Sequence, residues 1–187
     1  MNVAKILKPE KISQKQATFC LLDQRTFECH WKTVKTLAEY KQSPNNKIEL
    51  LYFLGVGWLH RSFSGIRNTE IMDFWWGKKD WKKLPTLSTH DISTLMSNRF
   101  KHELGYRSSA AYPIYDRAAG NRVMYYMIHA SDHAETPALM VRAHNRAVRS
   151  LPKETQTALE FGSDNIPLNV HVYTHCYEGG RGIVGAC

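Results

Sequence analysis

The sequence predicts an α/β fold: an open sheet of parallel strands with a C-terminal antiparallel hairpin and helices on both faces. Three observations carry this expectation. Residues 17–23 and 48–54 are short, almost continuously apolar runs, as expected of strands covered on both sides. A helical pattern at 31–41 lies between them, so the two strands form a parallel β-α-β pair with a right-handed crossover. Two more strand-like runs, 109–115 and 122–130, are joined by the short link 116–121, which demands an antiparallel hairpin.

Each element has a local reason. Residues 1–15 are basic and polar, contain Pro9, and suggest a loose or partner-bound lead-in. In the first helix Trp31, Val34, Leu37 and Ala38 share one face, and Lys32, Lys35 and Glu39 the other. Residues 43–46 (Ser-Pro-Asn-Asn) make a turn. Residues 58–84 hold four of the five tryptophans and suggest an irregular aromatic stretch, either a small core under a long connection or the wall of a pocket. A second helix spans 88–104, with Ser88 as N-cap, Asp91 in the first turn, an apolar face of Ile92, Leu95, Met96, Phe100 and Leu104, and Gly105 as its stop. A third spans 136–149, with Leu139, Met140, Ala143 and Ala147 expected inside and Arg142, Arg146 and Arg149 as a basic stripe. Beyond Pro152 a short helix at 153–161 and a strand at 168–173 are expected. The chain divides into residues 1–150 and an extension, 151–187, packed on or beside them.

The 187 residues, 43% of them hydrophobic, suffice for one sizeable core. No apolar run reaches transmembrane length and the N-terminus lacks the shape of a signal peptide, so the expectation is a cytoplasmic protein with no membrane partner. The net charge of +8 favours a polyanionic partner such as nucleic acid, against the plainer alternative of a solvated basic surface. The four cysteines form no C-x-x-C pair, which argues against a disulfide framework and against zinc. His171 and His175 beside Cys176 share a strand face but lie well apart, so no metal is expected.

The order strand, helix, strand, helix, hairpin, helix describes the C-terminal part of a Rossmann-like sheet of the class I methyltransferase type. Several motifs strengthen this: residues 19–34 (FCLLDQRTFECHWKTV), 49–54 (ELLYFL) with 57–61 (GWLHR), Trp75-Trp76-Gly77 with Asp80-Trp81, 99–106 (RFKHELGY) and 124–133 (MYYMIHASDH). In this order they resemble the three-Cys-motif partner protein family over roughly residues 17–150. The resemblance implies a methyltransferase-like protein using S-adenosylmethionine, with Asp23 near the transferred methyl. Full-length members carry an N-terminal half with a glycine-rich turn and an acidic ribose-binding residue. Here that half is missing, so cofactor binding is expected to need another chain.

The catalytic candidates are Asp23 and Gln24, because a carboxylate and an amide at a strand's carboxyl end can accept hydrogen bonds from a methyl acceptor. Their structural alternative is to cap the next helix. His129, Asp132 and His133 would line the cleft or cap the third helix. Lys78, Lys79, Trp81 and Lys82, with Arg142, Arg146 and Arg149, are the candidate nucleic-acid or partner surface, since interleaved aromatics and cations suit unpaired bases. Gly180-x-Gly182-x-x-Gly185 matches a dinucleotide fingerprint formally but has no helix to open after it. Finally, without a neighbour the strand 17–23 would expose an apolar edge. A second polypeptide, a second copy, or residues 168–173 folding back would cover it.

Overall fold

The computed structural model describes residues 7–24, 26–43, 45–116, 122–150 and 169–174, with residues 149–150 and 169–174 described by backbone alone. In order the elements are β1 (Thr18–Asp23), α1 (Trp31–Glu39), β2 (Glu49–Gly55), α2 (Val56–Gly65), α3 (Thr69–Trp76), a 3-10 helix (Lys79–Thr86), α4 (Thr89–His102), β3 (Ser108–Asp116), β4 (Arg122–Ser131), α5 (Thr136–Ser150) and β5 (Asn169–Thr174). One sheet forms, in the order β3-β4-β2-β1-β5. β1 and β2 are parallel, while β2/β4, β3/β4 and β1/β5 are antiparallel. β1, β2 and β3 therefore run one way and β4 and β5 the other. The expected parallel pair and hairpin are both present, and the hairpin joins β2 through its second strand.

Residues paired across a sheet share a face. Cys20, Leu22, Leu50, Tyr52, Leu54, Ile128 and Ala130 lie on one face and are fully buried. The α1, α3 and α4 helices supply the layer over them. The Phe100 ring meets Tyr52 and Trp31 edge-on, each at 5.6 Å, and the Trp75 indole N–H donates to the Tyr52 hydroxyl at 3.0 Å. Phe19, Leu21, Leu51, Phe53 and Met127 lie on the other face and are only half-buried. So the continuous apolar runs overstated the cover: burial alternates along β1 and β2 although hydrophobicity does not. On this second face α5 reaches β3, where the His144 imidazole donates to the Pro113 carbonyl at 2.9 Å and its ring lies 5.3 Å from Tyr112.

The aromatic stretch is regular, contrary to the expectation. α3 starts at Asn68, whose side-chain oxygen accepts from the Glu70 N–H, and stops at Gly77 with φ at 77°. A Cβ at Gly77 would lie 2.6 Å from a Trp31 ring carbon, so both the left-handed backbone and the close approach require glycine. Met72, Trp75 and Trp76 are buried, and the adjacent tryptophans hide the helical spacing in the sequence. α4 is capped as expected: Ser88 Oγ accepts from the Asp91 N–H and donates to its carboxylate.

Three further expectations change. The lead-in is docked from Leu7 onward: Leu7 and Ile12 are buried, and the Tyr40 hydroxyl donates to the Ile12 carbonyl at 2.9 Å. The expected inner side of α5 faces outward, with Leu139, Ala143 and Ala147 exposed. The outer edge of β1 is occupied by β5, residue against residue from Thr18↔Thr174 to Asp23↔Asn169. Of the three possible covers for that edge, the strand of the extension lies there. The link 117–121, the expected helix 153–161 and the glycine fingerprint lie outside the described residues.

Candidate functional site

The carboxyl ends of β1 and β2 meet at one end of the sheet. Asp23, the last residue of β1, is exposed there, on the same face as Phe53 of β2 and Tyr125 of β4. The rings of Phe53 and Tyr125 lie 4.6 Å apart. Burial pushes the Tyr125 phenol up, and the nearby Asp23 carboxylate adds to it, so this hydroxyl stays a neutral hydrogen-bond donor at physiological pH. Gln24 points the other way. It is fully buried, and its amide N–H donates to the Phe53 carbonyl at 2.9 Å, lacing the end of β1 to β2. Its side-chain oxygen is buried without a hydrogen-bond partner among the described residues.

The floor of this end is set by Gly55, where β2 passes into α2 without a loop. A side chain at Gly55 would run into the Trp58 indole. Phe27 meets Trp58 and Trp75 edge-on at 4.9 and 5.0 Å and closes one wall. Burial pushes the Cys20 and Cys29 thiols up to about 12, so neither is a thiolate nucleophile. Among the described residues this end therefore offers the exposed Asp23 carboxylate, the neutral Tyr125 phenol and an aromatic wall. Sequence reasoning missed Phe53 and Tyr125. The signal for Tyr125 lay in the hairpin, because an antiparallel β4 beside β2 sets Tyr125 against Gly55.

His129, Asp132 and His133 sit at the opposite end and do not join Asp23, because β4 runs against β2. The His129 ring hydrogen-bonds the Glu49 carboxylate at 2.6 Å, Asp132 accepts from the Arg107 N–H at 2.9 Å, and the His133 ring accepts from the Glu135 N–H beside the start of α5. Among the described residues no three His, Cys, Asp or Glu side chains converge as a metal site would require. The side chain of His171, and His175 and Cys176 altogether, lie outside the described residues.

The basic candidates separate into two surfaces. Lys78, Lys79 and Lys82 are exposed, but Trp81 belongs to the core, where its indole N–H donates to the Asp73 carboxylate at 2.7 Å. Beside them, between α1 and α3, runs a groove of about 640 Å³ rimmed by His30, Lys32, Lys35, Phe74 and Lys78. The rings of His30 and Phe74 stack at 5.2 Å and 22°, and Phe74 is 56% exposed. Behind its Trp31 wall the Arg99 guanidinium is held between the Trp31 and Trp76 rings, at 3.8 and 4.2 Å. Glu103 accepts from Arg99 at 2.9 and 3.1 Å and from Lys78 at 2.8 Å. Although burial opposes its ionisation, these donors hold the Glu103 carboxyl below its usual range. Arg142 and Arg146 are exposed on α5, across the sheet from this groove; the Arg149 side chain lies outside the described residues.

Comparison with family models, with curated proteins and with solved structures finds no match. Fold and site together define a mixed α/β protein whose sheet is flanked by helices. Among the described residues no helix is long and apolar enough to cross a membrane.

Proposed function

We propose that this chain is the acceptor-side part of a methyltransferase-like protein of the three-Cys-motif partner type. One observation carries the reading. The order β3-β4-β2-β1, with β4 alone reversed among those four, and an exposed Asp23 at the carboxyl end of β1, is the arrangement expected of the second half of a Rossmann-like methyltransferase sheet. Asp23 would accept a hydrogen bond from the methyl acceptor, and the Phe53–Tyr125 pair would wall the acceptor in.

The described residues do not fit S-adenosylmethionine by themselves. The place beside β1 where a cofactor half would add its parallel strand holds the antiparallel β5, and among the described residues no glycine-rich turn adjoins it. The cofactor would have to be held by a half lying outside these 187 residues, and Asp23 is limited to orienting the acceptor. Asp23→Ala in a complex with that half should lower methyl transfer at least tenfold and leave cofactor binding unchanged, measured by labelled-methyl incorporation and by calorimetry. Unaltered transfer would remove Asp23 from the site.

The groove favours a second reading, a non-catalytic module that binds single-stranded nucleic acid. An exposed ring stack flanked by Lys32, Lys35 and Lys78 suits a base and its flanking phosphates. Stacking on one aromatic is worth about 1–3 kcal/mol per base. Phe74→Ala should therefore weaken a labelled oligonucleotide by roughly 5- to 150-fold. Equal affinity of both proteins across a salt series would exclude the groove.

A further inference from the structure

A second cavity, of about 320 Å³, opens at the amino ends of β1 and β2, the end of the sheet away from Asp23. Its lining includes Lys41, Lys47, Arg107 and Asp132. Lys41 is only 4% exposed. Its ammonium donates to the Gln16 carbonyl and to the Thr18 hydroxyl. Lys47 donates to the Ala38 and Leu104 carbonyls, at 3.3 and 3.0 Å, and so ties the last turn of α1 to the end of α4. An ammonium has three N–H donors, so among the described residues each lysine has one without an acceptor.

The charge here is unbalanced. Among the described residues no carboxylate lies within ion-pair distance of Lys41, Lys47 or Arg107. Among the described residues Asp132 is the single acid in the lining, and one of its oxygens is already taken by the Arg107 N–H. Three cations thus face one carboxylate. A buried cation without a counter-ion is costly, and burial indeed lowers the proton affinity of Lys41. A dianionic group seated between the cations would relieve that cost.

We propose that this cavity is a binding site for a phosphoryl group, held by the remaining donors of Lys41 and Lys47 and by the Arg107 guanidinium. Arginine and lysine together match the geometry and charge of phosphate oxygens. A volume of about 320 Å³ exceeds one phosphate and is typical of the smallest ligand pockets, which points to a small phosphomonoester. The site is independent of the methyl-transfer and nucleic-acid readings, since it shares no residue with Asp23 or the groove.

The test is calorimetric titration with inorganic phosphate, a nucleoside 5′-monophosphate and O-phosphoserine, each at ionic strength matched with chloride. Saturable binding of at least one, weakened tenfold or more in Arg107→Ala, is the expected result, and the tightest ligand identifies the source. Arg107 is exposed on the surface, so its variant should keep the parent melting temperature. Lys47→Met, checked for folding by circular dichroism, should lose binding as well. No saturable heat from any of the three, or the same affinity in Arg107→Ala as in the parent, would overturn the proposal.

Discussion

Removing residues 151–187 is expected to convert the protein into dimers and larger species. The deletion takes away β5 and bares the outer edge of β1 from Thr18 to Asp23. Each backbone hydrogen bond lost there contributes about 0.5–1.5 kcal/mol, and an unpaired backbone group kept from water costs more. The bared edge is flanked by Phe19 and Leu21, which are half-buried even with β5 in place, and carries no charge until Asp23. Edges of that kind pair with other chains. Size-exclusion chromatography with light scattering at several concentrations reads the effect directly. A truncated protein that stays monomeric, with an unchanged melting temperature, would show that β5 does not protect β1.

The second large effect is expected from Arg99. In Arg99→Ala the indoles of Trp31 and Trp76 lose the cation between them, and Glu103 loses its two-point partner. A desolvated cation–π contact is worth about 2 kcal/mol, and a buried hydrogen bond to a charged group about 1.5–3 kcal/mol. The combined loss should be about 3–5 kcal/mol in urea unfolding at neutral pH. Arg99→Lys should recover little of it, because an ammonium cannot lie flat between two rings and bond both carboxylate oxygens. Glu103→Gln isolates the ionic part. The Glu103 carboxyl is held below its usual range, so its contribution is complete above the unfolded pKa of roughly 4.3 and fades as pH falls through the lower folded value. The gap between parent and Glu103→Gln should therefore be present at pH 7 and close in acid. A gap that persisted there would assign the effect to packing.

What the sequence disclosed and what it hid follow from the range of the interactions. Parallel β1 and β2, the hairpin and the capped α4 were legible because each rests on neighbours in sequence: an apolar run, a short link, a Ser88–Asp91 pair. The helices of the aromatic stretch are hidden in the sequence, since Trp75 and Trp76 are adjacent yet reach Tyr52 of β2 and Arg99 of α4, beyond their own turns. In α5 the alanines and Leu139 have the spacing of a core face, yet they are exposed and it is His144 that bonds β3. The antiparallel return of β5 to β1 was suggested only by an edge that needed cover.

The site was legible in part for the same reason. Asp23 is fixed by its place at the end of an apolar run, and any open α/β sheet would expose it there. Gln24, one residue on, must point to the opposite side, and the core claims it as a lace to Phe53. Tyr125 and Lys41 reach their places only through pairing across more than twenty residues. Composition announced the positive charge but not its division into a groove with a ring stack, a separate arginine pair and a cavity of unmatched lysines.

The claim on which the functional reading rests is that these residues supply the acceptor side of a methyltransferase sheet whose cofactor side lies elsewhere. Titration of S-adenosylmethionine into the purified 187-residue chain, alone and then with any polypeptide found to co-purify with it, tests this most directly. The account predicts no heat from the chain alone and saturable heat once the second half is present. Saturable binding by the chain alone, or none in either case, would contradict it.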